Sequence, residues 1–172
     1  MTPSRRIGLA SFALVASMLT LAAARHAVVG RAARSVPSAC ALLTATDAQL
    51  LGGFKATADS TNAPSGCIYK RTGAPVVDPD VVEITVRSYP DAATAHTAYP
   101  KWVKPLTRPS PIMSWVPVSG VGDEATFAHT SLTPPNAAIY FRSGATLVKI
   151  GVFPAPSDSA LAVAARTVVS RM

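Results

Sequence analysis

Two cysteines, Cys40 and Cys67, are the only ones in the chain, and they place the strongest single constraint on its fold. In an exported protein, one pair of cysteines most simply forms one disulfide bond. The bond would close a loop of 28 residues and stabilise the fold by roughly 3–4 kcal/mol in the chain-entropy description. Two alternatives stay open from the residues alone: a pair of unlinked buried thiols, or a Cys40 that carries a lipid.

The N-terminal residues have the pattern of an export signal. Residues 1–6 are basic, and the eighteen residues from Ile7 to Ala24 carry no charge and end in three alanines. A basic segment, an apolar segment and a small-residue cleavage site are typical of a secretory signal peptide. We therefore predict a signal peptide over residues 1–24 and an extracytoplasmic location. An uncleaved N-terminal anchor and a twin-arginine signal at Ser4-Arg5-Arg6 remain alternatives.

The residues after the leader divide into a tether and a domain. Residues 25–37 are rich in Ala, Arg and Val without a clear period and are predicted to be a flexible tether, and residues 38–172 to be a single domain. Small residues precede Cys40, as lipid attachment requires, but Pro37 stands where that motif has Leu, and Cys40 lies sixteen residues beyond the apolar run. Contact with a membrane is therefore expected only through an uncleaved leader or a lipidated Cys40.

The net charge of +7 does not indicate a nucleic-acid-binding protein. Five of the sixteen Lys and Arg residues lie at or before Arg34, whereas all nine acidic residues follow it. From Ser35 onward eleven basic residues face nine acidic ones, a balance of +2. Nucleic-acid recognition needs a concentrated basic surface, and here the basic residues are dispersed. No nucleic-acid partner is predicted.

Hydrophobic periodicity and turn residues predict an α+β domain with the order α-β-β-α-β-β-β-α. The clearest strand is Val82–Arg87, in which Val82, Ile84 and Val86 alternate with polar residues. The predicted elements are helix Ala45–Leu51, strands Cys67–Arg71 and Val82–Arg87, helix Ala92–Tyr99, strand Thr126–Ala128, hairpin strands Ala137–Phe141 and Thr146–Phe153, and helix Ser159–Ser170. A mostly antiparallel sheet with the helices packed on one side fits this order.

Local sequence signals predict where the helices begin, end and face the core. Thr44 and Asp47 have capping-box spacing before the first helix, and Leu50 and Leu51 are expected to point inward. Pro100 is expected to end or kink the second helix. Residues 101–117 contain four prolines and are expected to be a long irregular connection.

The order of several short patterns resembles a family. They are Cys40-Ala-Leu-Leu-Thr with a helix to Gly52-Gly53, Cys67-Ile-Tyr opening a strand, the turn Gly120-Val-Gly-Asp-Glu-Ala, a strand hairpin and a C-terminal helix. In this order they resemble small exported or lipid-anchored envelope domains of unknown function that are common in actinobacteria. The resemblance implies a Cys40–Cys67 disulfide and an extracytoplasmic location, and it implies no catalytic residue.

Motifs for catalysis or cofactor binding are not found in the sequence. Gly120-Val-Gly122 lacks the third glycine and the strand-to-helix context of a dinucleotide site, and no Gly-x-Ser-x-Gly nucleophile motif occurs. His96 and His129 lack the close spacing of metal ligands. Asp123 and Glu124 would face opposite sides of a strand. We therefore predict no catalytic residue, cofactor or metal. An enzyme would need a dispersed site, such as His96 or His129 with Asp123.

Three functional hypotheses follow. The first is a non-enzymatic envelope module that binds a protein, a lipid or a cell-wall component through a surface that includes Trp102 and Trp115. The second is a small secreted hydrolase in which His96 or His129 lies within hydrogen-bond distance of a carboxylate in a cleft. The third is a structural or accessory protein without a small-molecule site.

Overall fold

A computed structural model describes residues 36–60, 62–73, 80–103 and 112–172. The signal peptide and most of the tether predicted above lie outside these residues. Within them the chain forms a seven-stranded antiparallel sheet and four helices. The elements are α1 Ala39–Leu42, α2 Ala45–Gly52, β1 Ala56–Asp59, β2 Gly66–Arg71, β3 Val81–Ser88, α3 Ala92–Val103, β4 Met113–Val118, β5 Glu124–Thr130, β6 Ala137–Ser143, β7 Thr146–Phe153 and α4 Asp158–Ser170. The strand order is β1-β2-β3-β7-β6-β5-β4.

The main hydrophobic core lies between one face of the sheet and helices α1, α2 and α4. The alternation predicted for β3 is confirmed, because Val82, Ile84 and Val86 are all buried in this core. The final helix, predicted over Ser159–Ser170, has apolar residues at helical spacing, and these residues are buried against the sheet: Leu161, Ala164, Ala165 and Val168. Alternation with period two in the strands and period 3.6 in the helix thus correctly predicted the inward faces.

Helix α3 packs on the opposite face of the sheet, contrary to the prediction that all helices share one side. Ala95, Tyr99 and Val103 of α3 form a second, smaller core with Leu147 of β7. The Tyr99 hydroxyl donates a hydrogen bond to Thr126 Oγ1 of β5 at 2.9 Å. The short apolar face of α3 does not reveal which side of a sheet it will cover. Helix α3 covers only part of this sheet face, and the remaining part contains a trough.

The first long helix, α2, begins and ends as its sequence predicts. The Thr44–Asp47 capping box is formed, and Gly53 ends the helix with a left-handed backbone, at φ 70°. Leu51 is buried, but Leu50 is 79% exposed, so the expected inward orientation of Leu50 is wrong. Consecutive helical residues are about 100° apart around the axis, and α2 directs Leu51 to the core. Leu50 instead lines a shallow cavity of about 310 Å³ between α2 and α4.

The disulfide bond predicted between Cys40 and Cys67 is present. It joins α1 to β2 with a Cα–Cα distance of 5.2 Å, and the Cys67 side chain is fully buried. Two residues further along β2, the buried Tyr69 donates a hydrogen bond from its hydroxyl to the carbonyl oxygen of Leu43. The covalent and polar links hold the start of the domain against the sheet. A disulfide is typical of proteins that fold in an oxidising compartment.

The order of elements differs from the prediction because three short elements were missed: α1, β1 and β4. Strand β4 occupies part of the expected irregular connection, and its Pro117 is accommodated because β4 is an edge strand of the sheet. Helix α3 continues through Pro100 to Val103 rather than ending at Tyr99. Short edge elements carry too few residues for a period to be recognised.

An ion pair between Asp47 and Arg171 joins α2 to the end of α4. Arg171 Nη1 lies 2.5 Å from Asp47 Oδ2 and also donates to the carbonyl oxygen of Leu42 at 2.8 Å. Partial burial raises the pKa of Asp47, but hydrogen bonds from Arg171 and Thr44 outweigh it and hold the pKa at about 2, below the ordinary 3.8. The carboxylate therefore stabilises the fold when it is ionised.

We expect this ion pair to make stability depend on pH in the acid range. The folded pKa is below the unfolded one, so the contribution is complete above about pH 4 and is lost as the pH falls towards 2. Because Arg171 is about a third exposed and solvent screens the pair, this contribution to the free energy of unfolding is about 1–2 kcal/mol. Urea unfolding between pH 2 and 7 should show this loss in the wild type and a flatter profile in Asp47→Asn. Equal slopes in the two proteins would contradict the assignment.

Candidate functional site

The sheet face that carries α3 also contains a trough that runs across the strands. Its floor is a row of small residues in register on three adjacent strands: Gly151 of β7, Ala138 of β6 and Ala128 of β5. Glu83 of β3 precedes this row and Trp115 of β4 follows it. Strands lie about 4.8 Å apart, so the three-residue floor spans about 10 Å. The absence of large side chains in this row creates the depression.

The trough has a volume of about 530 Å³, which is in the range of small-molecule sites. One wall is formed by Tyr140 and Lys149, which are cross-strand neighbours two residues along from the floor. Most of the described lining is apolar, and its polar groups are few. The lining residues are Val81, Glu83, Met113, Ala128, Thr130, Asn136, Ala137, Ala138, Tyr140, Lys149, Gly151, Val152 and Phe153.

A charged pair stands at the β3 end of the trough. Lys149 Nζ donates to Glu83 Oε1, and the two side chains are 28% and 34% exposed. The Glu83 side chain lies over Gly151: a Cβ added to that glycine would be 2.8 Å from Glu83 Oε1. Gly151 therefore makes room for the carboxylate, and the floor at this end is covered by a neutralised ion pair.

Tyr140 is supported by both tryptophans that the sequence had suggested for a contact surface. The Trp102 ring, at the end of α3, meets the Tyr140 ring edge-on at 5.5 Å, and the Trp115 ring lies 5.6 Å away on β4. Both tryptophans are half-buried. Burial raises the pKa of Tyr140, so its hydroxyl stays protonated at neutral pH. The structure thus brings Trp102 and Trp115 together behind the wall of the trough.

The Gly120-Val-Gly-Asp-Glu-Ala segment forms a turn held by Arg142. Arg142 Nη1 donates to Asp123 Oδ2 at 2.8 Å, and Arg142 Nε donates to Glu124 Oε1 at 2.5 Å. The two carboxylates therefore meet at one guanidinium, although a strand would have turned them to opposite faces. Asp123 also accepts a hydrogen bond from the Gly144 backbone at 2.8 Å. These contacts link the turn before β5 to the turn between β6 and β7.

Neither histidine pairs with Asp123, so the suggested dispersed site is not assembled. His96 Nδ1 lies 2.7 Å from Glu124 Oε1, on the exposed side of α3. Burial raises the pKa of Glu124, but hydrogen bonds from His96 and Arg142 outweigh it and lower the pKa below its ordinary value. His129 Nε2 lies 3.5 Å from Asp158 Oδ1, on the other face of the sheet. The two histidines thus belong to separate surface pairs.

Two features are absent from the described residues. No group of three or more His, Cys, Asp or Glu side chains there is arranged to hold a metal ion. No described helix combines the length and apolar character that crossing a membrane requires.

No family model matches the chain, and no curated protein is significantly similar to it. The site must therefore be interpreted from its own geometry.

Sequence patterns did not identify most of the residues that form the trough. The alternation along β7 sets Lys149 on the face opposite the buried Val148 and Ile150, but Gly151 and the two alanines carry no recognisable chemistry. One signal was available: in the β6–β7 hairpin, Ala138, Tyr140, Lys149 and Gly151 alternate with residues of the main core. A strand face made of small residues indicates a depression only when its neighbours in the sheet are known.

Proposed function

We propose that this protein is an extracytoplasmic, non-enzymatic binding module whose trough takes a small, mainly apolar ligand. The observation that carries the proposal is the floor of Gly151, Ala138 and Ala128, aligned across three strands beneath about 530 Å³ of open volume. Small-molecule sites are typically concave and apolar, with a few polar groups that fix orientation. The Glu83–Lys149 pair and the Tyr140 hydroxyl are such groups.

The proposed location rests on two features. The leader predicted over residues 1–24 directs export, and the Cys40–Cys67 disulfide fits an oxidising compartment. The resemblance to exported actinobacterial envelope domains supports the same location. A ligand for a protein at that cellular location would be a lipid or another apolar component of the envelope.

Blocking the floor should abolish binding. We expect the neutral fluorophore N-phenylnaphthylamine to gain fluorescence on binding the wild type, and Ala138→Leu to weaken this binding more than tenfold, because the added side chain would fill the trough. Ala93→Leu, on the exposed side of α3, is the matched control and should bind as the wild type does. Thermal unfolding should show that both variants are folded. Undiminished binding by Ala138→Leu would refute the proposed site.

A secreted hydrolase remains the second candidate, and one observation favours it. His129 Nε2 lies 3.5 Å from Asp158 Oδ1, and Ser114 is the cross-strand neighbour of His129 on β4. A serine, a histidine and a carboxylate are the groups that nucleophilic hydrolysis requires. Hydrolysis of an ester probe that is lost in His129→Ala would favour this candidate over the binding module.

A further inference from the structure

The polar end of the trough constrains the chemistry of its ligand, if the proposed function holds. Lys149 has three N–H donors and Glu83 has two carboxylate oxygens. Their contact uses one donor and one oxygen, Glu83 Oε1. Because both side chains line the trough and are partly exposed, the remaining donors and the second oxygen are available to a ligand. The site can therefore donate and accept hydrogen bonds at one place.

The pair also opposes charged ligands. Lys149 and Glu83 neutralise each other, so an added carboxylate would lie beside the Glu83 carboxylate, and an added ammonium beside the Lys149 ammonium. The apolar residues nearby, Val81, Ala138 and Val152, carry no polar side-chain group that could offset this repulsion. An uncharged group that both donates and accepts would satisfy both partners without leaving a net charge.

We propose that the trough binds neutral amphiphiles, with a narrow apolar chain and an uncharged end group such as a hydroxyl or primary amide. The end group lies at Glu83 and Lys149, accepting from the ammonium and donating to the carboxylate. The chain lies along the floor over Ala138 and Ala128, towards Trp115, beside the wall formed by Tyr140. The part of the floor that Glu83 does not cover, from Ala138 to Ala128, is a single row of small residues and suits an unbranched chain.

Displacement of N-phenylnaphthylamine by three decyl compounds tests this inference. Decanol, decanoic acid and decylamine share one chain and differ only in the end group. At pH 7, with decanol below its solubility limit and the charged compounds below their micelle concentrations, decanol should displace the probe from the wild type at a concentration about tenfold lower than either charged compound. Equal displacement by all three, or preferential displacement by a charged one, would overturn the inference.

Two variants should reverse this preference in opposite directions. Glu83→Gln leaves Lys149 without its counter-charge, so decanoic acid should become the best of the three ligands. Lys149→Met leaves the Glu83 carboxylate alone, so decylamine should become the best. Because ligands are ranked within each protein, a general loss of stability does not alter the order. An unchanged ranking in both variants would also contradict the inference.

The same experiment separates this inference from the proposed function. If the probe binds the wild type and is excluded by Ala138→Leu, but decanol shows no advantage, the trough is a binding site and the neutral-amphiphile inference is wrong. If the probe binds neither the wild type nor Ala138→Leu, or binds both equally, the proposed function itself fails.

Discussion

Replacing both cysteines with alanine is expected to lower the free energy of unfolding by about 3–4 kcal/mol. The Cys40–Cys67 bond restricts the unfolded chain over a sequence separation of 27 residues, and its loss gives that entropy back to the unfolded state. Folded domains are stable by only 5–15 kcal/mol, so the loss removes a large share of the total. Urea unfolding of wild type and Cys40→Ala/Cys67→Ala measures the difference.

A reductant provides the control for the disulfide prediction. Dithiothreitol should move the wild-type unfolding midpoint towards that of the double variant, and it should leave the double variant unchanged. Peptides containing Cys40 and Cys67 should be linked in mass spectra recorded without reduction. A lipid on Cys40, or a wild type indifferent to reductant while unfolded, would show that the bond does not form in the natural protein.

The second large effect is expected at Gly122. Its backbone has φ 55°, and an added Cβ would collide with the carbonyl oxygen of Arg142 and lie 3.2 Å from the carbonyl carbon. That oxygen accepts the backbone N–H of Asp123 at 2.8 Å. Gly122→Ala should therefore cost about 3 kcal/mol, from the left-handed backbone conformation and the overpacked contact together.

Gly120 is the matched control for this substitution. It has a similar left-handed backbone, at φ 75°, but nothing lies within 4 Å of the position its Cβ would take. Gly120→Ala should therefore cost only about 1–2 kcal/mol, the conformational part alone. Chemical unfolding of the two variants gives the difference. If both lose the same free energy, the close approach to Arg142 does not constrain the turn.

The sequence predicted long, regular elements well and short ones poorly. Strand β3 and helix α4 each have enough residues for their period to show, so their buried faces were correct. The capping box at Thr44 was recognisable because its geometry depends on four consecutive residues. Strands β1 and β4 lie at the two edges of the sheet, where one side lacks a neighbour and the hydrophobic pattern is weak. The trough depends on residues from several strands, so no local pattern contains it.

The sequence by itself determined which residues of β3 and of the final helix are buried and how α2 is capped, and it allowed a single disulfide pairing without deciding whether the bond forms. These depend on local spacing or on the number of candidates. The tertiary structure alone decided that α3 packs on the second sheet face, that Asp123 and Glu124 share Arg142, and that three small residues align beneath Tyr140. Each follows from strand register, which is set by packing across the whole sheet and cannot be read from one segment.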